Sequence, residues 1–417
     1  MKFKRTLIAA SLLAAGTVAN AAPSNEELWQ MMQDMQQQMK DVQMQNQQLK
    51  AENADLKGKV EETEQAVEAV VVATEEAASS SLFSSGRTSI GGYGELHYNN
   101  LDDNNGDNDL DQLDFHRFVL FFSHEFTDDL RFWSEFELEH SVAGEGKEGE
   151  VELEQAYIEY DINDQNRVKG GVFLMPVGII NETHEPDTFY GVERNPIENK
   201  IIPSTWWEAG TMFSGDIANG FAYDLAVTSG LDVSKKGDKS TFKIRDGRQK
   251  VANAQANDLA YTGRLKWTAV PGVELSLTAQ YQEDITQGNI AESDDAVLIE
   301  THAVIQQGAF GLRALYAQWD LEGDAPKVAG YDEQTGWYIE PSYKINKNLG
   351  VFARYSAWDN QAGMSSIESE FEQFDLGVNW WIHKNVVLKL DYQFQDAESD
   401  TATEREGLNL GLGYQFY

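Results

Sequence analysis

The sequence contains no cysteine, only eight prolines among 417 residues, and 32 basic residues against 69 acidic ones. Without thiols, neither disulfides nor thiolate metal sites are available. A formal charge of −37 argues against nucleic acid as a partner, because phosphate binding needs clustered Lys and Arg. Nothing beyond residue 21 approaches the ~18 consecutive apolar residues of a membrane-spanning helix. Apolar content is also low, at 41%, although there are 20 Phe, 16 Tyr and 10 Trp. A soluble core of this size would use more Leu, Ile and Val. A sheet that needs apolar side chains on one face only would have this composition.

The first residues read as a processing segment. Lys2, Lys4 and Arg5 precede an apolar run from Leu7 to Val18, closed by Ala19-Asn20-Ala21. This three-part order predicts a signal peptide over 1–21. Its removal takes three cations and no acids, leaving a charge of −40.

Residues 22–74 form a second region, rich in Gln, Glu, Lys and Met. Leu28, Met35, Val42, Leu49, Leu56, Thr63 and Val70 recur every seven residues. Four residues after each come Met32, Met39, Asn46, Asn53, Val60, Val67 and Thr74. These are the two seam lines of a heptad repeat and predict an α-helical coiled coil. Met32, Met39, Asn46 and Asn53 are the oligomerisation candidates, because a buried Asn at a seam costs stability but fixes register and strand number. The alternative is a solvated helix, since Met and Asn make a weak seam. A Ser-rich linker over 75–88 follows.

From 89 to 417 the period changes to two. Segments of about ten residues alternate apolar and polar, the pattern of membrane barrel strands. They are 89–98, 114–126, 129–140, 151–160, 166–174, 206–214, 220–229, 258–268, 273–283, 296–306, 309–319, 335–344, 349–358, 370–381, 386–395 and 408–417. Long links such as 99–113, 175–205, 230–257 and 396–407 follow odd strands. Tight ones such as Thr127-Asp128, Gln307-Gly308 and 382–385 follow even strands. Long loops outside and short turns inside are what outer-membrane barrels have. The expected fold is all-β: a 16-stranded antiparallel transmembrane β-barrel behind the coiled coil. The final strand sets Leu408, Leu410, Leu412, Tyr414 and Phe416 on one face, and its aromatic end resembles the assembly signal of bacterial outer-membrane barrels. Trp267, Trp358 and Trp380 are expected in the interfacial girdles.

If apolar positions face lipid, charged ones face a lumen, because a charge in hydrocarbon is costly. The basic candidates are Arg131, Arg167, Lys169, Arg264, Lys266, Arg354 and Lys389, with Arg117 on a strand whose two faces are both apolar. The acidic candidates are Glu135, Glu137, Glu159, Glu300, Asp375 and Asp391. Fixed charges at a narrow point bias which ions pass; the same residues could instead pair across strands and only hydrate the wall. The link 175–205 holds Pro176, Pro186, Pro196 and Pro203, which predicts ordered, non-strand structure.

The run Gly171-Val172-Phe173-Leu174-Met175-Pro176-Val177-Gly178 follows a strand carrying Arg167 and Lys169. Phe189, Glu193-Arg194 and Trp206-Trp207 with Gly210 and Gly215 follow, and Gly91-Gly92-Tyr93-Gly94 stands near the start. These residues resemble the phosphate-selective porin O/P family, and the likeness extends loosely over 89–417. The resemblance implies a trimeric sixteen-stranded barrel that passes small anions, with 175–205 folded inward as a constriction loop. That loop sets Glu182, Glu185, Asp187, Glu193 and Glu198, with His184, against Arg194 and Lys200.

The seven histidines 97, 116, 124, 140, 184, 302 and 383 show no His-x-x-x-His or similar spacing, so no metal is expected. No Ser–His–acid set stands out, so neither an enzyme nor a cofactor is expected. The expectation is a porin in the outer membrane of a Gram-negative bacterium, passing small hydrophilic solutes and ions and leaning to anions such as phosphate. Its partners would be lipid, lipopolysaccharide and two further copies of itself, with the coiled coil in the periplasm. The alternative is a non-conducting barrel that anchors the coiled coil to the cell wall or a partner. Deleting 25–72 should destabilise trimers in detergent, read as a lower dissociation temperature on gels; unchanged trimers would make the rod a tether.

Overall fold

A computed structural model describes residues 87–104, 109–142, 146, 149–234 and 241–417, with isolated positions 29, 33, 37, 40 and 44. Those five positions are helical and exposed. The signal peptide, the coiled coil with Met32, Met39, Asn46 and Asn53, and the linker up to residue 86 lie outside the described residues.

The remainder is built from strands that are polar on the inner face and apolar on the outer. In β15 (Val386–Ala397), Lys389 and Asp391 are 5% and 3% exposed, while Leu388 and Leu390 are 36% and 42% exposed. A water-soluble sheet does the reverse. The same inversion runs through β9 (Val273–Gln282), where Ser276, Thr278 and Gln280 are buried and Leu275 and Leu277 exposed. Such strands are stable only if hydrocarbon covers the outside, and hydrocarbon offers no hydrogen bonds to an open sheet edge.

The sheet therefore closes. Sixteen antiparallel strands pair in sequence order, and β1 (Thr88–Asp103) meets β16 (Arg405–Phe416) with Tyr98 opposite Leu410 and Asn99 opposite Asn409. The other strands used below are β2 (Leu110–Glu125), β3 (Leu130–Glu139), β4 (Val151–Asn163), β5 (Asn166–Leu174), β6 (Trp207–Ile217), β7 (Phe221–Thr228) and β8 (Ala260–Trp267). The set is completed by β10 (Ser293–Gln307), β11 (Phe310–Gly323), β12 (Glu333–Asn346), β13 (Leu349–Asp359) and β14 (Glu370–His383). Every strand expected from the alternating pattern is present, mostly with longer ends.

The interior is not uniformly polar. On the loop side of β10–β12 the inner face carries Leu298, Ala317, Trp319 and Leu321. Met175, Val177, Ile197, Ile201 and Ile202 of the 175–205 loop, with Trp206 just after it, bury themselves against this wall. Leu231, Val233, Phe242 and Ile244 from the β7–β8 link join the same cluster. Glycine makes the seat: a Cβ on Gly336 would stand 2.9 Å from Ile201 and 3.0 Å from Ile197, and one on Gly413 would lie 2.3 Å from Pro186.

This apolar wall corrects one expectation. Trp358 is not in a girdle; it is 5% exposed, faces inward on β13 and stacks on Phe371 at 5.2 Å. The loops that roof the lumen give it an apolar place there. Trp380 is exposed on the outer face, as a girdle requires. Because the inversion defines the fold, Leu390→Arg at mid-strand should destabilise the barrel by about 2–4 kcal/mol in lipid. Gln393→Arg on the inner face should cost far less. Urea unfolding in vesicles compares the two.

Candidate functional site

The 175–205 loop is held at both ends before it reaches any charge. Asn181 donates to the carbonyls of Met175 and Trp206 at 2.8 and 2.9 Å and accepts the Trp206 N–H at 2.7 Å. Glu198 is fully buried; its Oε1 accepts the Ile179 and Ile180 N–H groups at 2.6 and 2.5 Å, and its Oε2 accepts the Tyr338 hydroxyl at 3.1 Å. This carboxylate, one of the loop's acids by composition, is a structural tie.

The far end of the loop is latched to β1–β3 by ions. Arg117 donates to Glu95 at 3.0 and 2.7 Å and to the His184 carbonyl at 3.1 Å. Sequence alone left its direction open. A bulge on β2 between Asp114 and Arg117, opposite Glu95 and His97 of β1, shifts the register, and Arg117 turns inward. His184 donates from Nδ1 to the Asn181 carbonyl at 3.0 Å and faces Glu135 and Glu154 from Nε2 at 3.2 and 3.5 Å. With acceptors at both nitrogens, the ring is an imidazolium. Burial pushes its pKa down, but Glu135 and then Glu154 outweigh that and lift it to about 10.

Most inward charges expected from the sequence are paired. Arg131 holds Glu159 at 2.8 Å and Asp161 at 2.5 Å. Arg264 takes Asp224 at 2.6 Å and the loop's Glu182. Arg354 takes Asp375 at 3.0 Å and Glu340 at 3.1 Å, and Lys266 faces Glu274 at 3.7 Å. Asp391 accepts the Val192 N–H of the loop at 2.6 Å, and Glu300 accepts from His302 at 2.7 Å. Lys169 lies over Tyr157 and Phe173 at 5.1 and 5.2 Å, and Lys389 over Phe189 at 3.5 Å. Arg167 is exposed beside the β4–β5 turn. Glu185 and Asp187 are half-buried. Glu193 meets His97 at 3.0 Å and Asn99 at 3.1 Å; burial would raise its pKa, but His97 holds it well below the usual range.

Among the described residues, Arg194, Arg245 and Arg248 have hydrogen bonds to neutral acceptors only, as does Arg313, which donates to the Thr188 carbonyl at 2.7 Å. Arg194 donates to the Thr205 hydroxyl at 2.8 Å, Arg245 to the carbonyls of Asn199 and Ser204 at 3.2 and 2.9 Å, and Arg248 to the Thr205 carbonyl at 2.7 Å. Every one of these acceptors is uncharged. Burial and then Arg117 depress the Arg194 pKa; burial and then Arg248 and Arg194 depress that of Arg245. For a guanidinium such pressure raises the energy of the charge without removing it. Lys200 feels the same field: burial, then Arg245 and Lys243, bring it down to about 8.

Arg194, Arg245 and Arg248 line a cavity of about 310 Å³ together with Arg117, Lys250 and the carboxylates of Glu137, Glu139, Glu150, Glu152, Glu154 and Glu193. It shares His116, His140 and Glu193 with a vestibule of about 640 Å³ on the long-loop side, which Lys200, Lys243 and Arg405 also line. On the turn side a third cavity, about 380 Å³, presents Arg313, Lys344, Lys347 and Lys384 with Asp187. Arg245, Arg248 and Lys243 were not among the sequence candidates. They sit on the β7–β8 link, which has no period; only the buried Ile244 and Phe242 beside them signal that this link folds inward.

Comparison with known proteins adds three findings. The family described as phosphate-selective porin O and P matches residues 90–417. A protein of Aquifex aeolicus (strain VF5), described as uncharacterized, is 32% identical over 341 residues, covering 74% of this chain and 76% of its own. Among solved structures, the anion-selective porin from Comamonas acidovorans aligns with a TM-score of 0.55 at 13% identity, over 79% of this chain and 99% of its own length. The trimer form of OmpT, an outer membrane protein of Vibrio cholerae, aligns with a TM-score of 0.51 at 9% identity, over 79% and 98%. At these identities the two structures speak for the fold.

The His184 latch has a pH window. Its folded pKa of about 10 lies above the ordinary ~6.5, so its stabilisation is complete below ~6.5 and is lost as pH rises through about 10. His184→Gln should lower stability at neutral pH by on the order of 3 kcal/mol, the cost of an unpaired carboxylate, read as a lower thermal midpoint in detergent. It should also flatten the alkaline decline of that midpoint.

Proposed function

The chain belongs to the phosphate-selective porin O and P family and forms an outer-membrane channel, and from that premise we propose that its solutes are small hydrophilic anions, phosphate among them. One observation carries the reading: Arg194, Arg245 and Arg248 share a cavity beside the constriction loop and are bound only to neutral oxygens. A guanidinium with spare N–H donors presents the planar fork that suits phosphate and carboxylate oxygens. The loop's acids do not cancel this. Glu182, Glu193 and Glu198 are occupied by Arg264, His97 and the loop's own N–H groups.

The mechanism follows from where uncompensated charge remains. An anion entering the vestibule meets Lys200 and Lys243, sheds part of its water against the arginines, and leaves past Lys344, Lys347 and Lys384. Partial desolvation with weak, repeated binding lets an ion both enter and leave. The work is passage, not catalysis. The working unit is a homotrimer, each barrel closing its own sheet and presenting an apolar outer wall to lipid and to its neighbours.

Planar-bilayer recording of the purified protein tests the reading. The expected result is stepwise conductance, a reversal potential in a KCl gradient on the anion side, and chloride current reduced by added phosphate. Arg245→Glu with Arg248→Glu should lower the anion-to-cation permeability ratio several-fold or invert it. A cation-selective wild type would overturn the anion assignment. A silent bilayer would instead favour the barrel as an anchor for its N-terminal region.

A further inference from the structure

We propose that Asp114, His116 and His140 form a binding site for a divalent transition-metal ion, of the zinc class, on the wall of the loop-side vestibule. The three side chains each offer one ligand atom, and those atoms lie within 4.8 Å of one another. Asp114 Oδ2 accepts from His140 Nδ1 at 2.8 Å and faces His116 Nδ1 at 3.4 Å. Zinc binds imidazole nitrogen and carboxylate oxygen at ~2.0–2.2 Å, so side-chain rotation with a small contraction would close the set around an ion. Each neutral imidazole would present its Nδ1 lone pair by carrying its proton on Nε2 instead.

Two departures from regular strand geometry build the cluster. Regular alternation would not put Asp114, His116 and Arg117 all on one face. The register shift opposite Glu95 and His97 is a bulge, and bulges re-aim side chains; both Asp114 and His116 line the vestibule. At the end of β3, His140 adopts a positive φ of 51° and its N–H donates to the His116 carbonyl at 3.0 Å. A left-handed backbone at a non-glycine residue is uncommon and persists where the surroundings hold it. His97 stacks on His116 at 4.7 Å and is itself fixed by Glu95 at 2.9 Å and Glu193 at 3.0 Å. A carboxylate-held ring packed on the ligand ring orients it.

Accessibility and chemistry select this cluster over its neighbours. Its side chains are 18–36% exposed, with Asp114 at 18%, His140 at 35% and His116 at 36%. Among the described residues, two other groups bring three ligand-type side chains together. Glu139, Glu150 and Glu152 are approached by Lys250, which binds two of them. Glu135, Glu154 and His184 are sealed, and that histidine uses both nitrogens in the latch. Two imidazoles and one carboxylate favour Zn²⁺, Co²⁺, Ni²⁺ or Cu²⁺ over Ca²⁺ and Mg²⁺, which need many oxygen ligands. Three protein ligands leave coordination positions open toward the vestibule. A bound ion would therefore add two positive charges where the vestibule meets the arginine cavity.

The test is calorimetric titration of the purified full chain in detergent with zinc chloride. The expected result is saturable binding of one ion per chain, without competition from calcium chloride. His140→Gln can still donate to Asp114 but cannot ligate as imidazole; it and His116→Gln should each weaken binding by about tenfold or more, while His383→Gln on the turn side should leave it unchanged. Heat-modifiable gel mobility shows whether each variant keeps its barrel. Should a variant fail to fold, wild type loaded with cobalt chloride decides alone: an imidazole-type ligand-field spectrum, displaced by zinc, supports the site. Wild type that binds zinc no more tightly than about 1 mM, or folded glutamine variants that bind as wild type does, would overturn it.

Discussion

Hydrocarbon offers no partner for a backbone N–H or C=O, and every other feature of this protein is arranged around that fact. Strands exposed to it must satisfy one another completely, which forces the sheet to close. Closure then fixes two surfaces of opposite character: Leu388, Leu390 and Tyr392 outward, Lys389, Asp391 and Gln393 inward. The outward set can be almost any apolar side chain. The inward set shares a confined volume in which each charge needs an answer.

The inward-folded 175–205 loop supplies many of those answers. It is seated by an apolar cluster on β10–β12 and latched on the opposite side by Arg117, Glu135 and His184. Breaking a buried ion pair leaves an uncompensated charge and costs about 3–5 kcal/mol, so these contacts fix the loop's path more than they add net stability. Of the loop's acids, Glu182 is taken by Arg264, Glu193 by His97 and Glu198 by the loop's own N–H groups. A net charge of −37 for the whole chain thus says little about the lumen beside this loop, where Arg194, Arg245 and Arg248 are bound to neutral oxygens.

Legibility followed period and faded where period stops. The sixteen strands, the alternation of long and short links, and the inward direction of Arg131, Arg264, Arg354 and Lys389 could be read from side chains that repeat every second residue. Arg117 was ambiguous because both faces of β2 are apolar there: the inner face carries Val119 and Phe121, which pack with Tyr93 and Trp133. Trp358 was misassigned for a related reason, since inner and outer apolar walls look alike in a linear pattern. Arg245 and Arg248 went unnoticed because the β7–β8 link has no repeat to orient its side chains. The cluster of Asp114, His116 and His140 has no metal spacing because a bulge and a left-handed residue assemble it from two strands.

The sequence by itself determined the class of fold, the strand count and, wherever the two faces of a strand differ in polarity, the side that meets lipid. Those properties depend on local alternation, and the bilayer reads alternation residue by residue. Which charges remain free, where the loop crosses, and which histidines meet were decided only by tertiary structure. Each of these depends on the distance between groups far apart in the chain, and only closure of the barrel sets that distance.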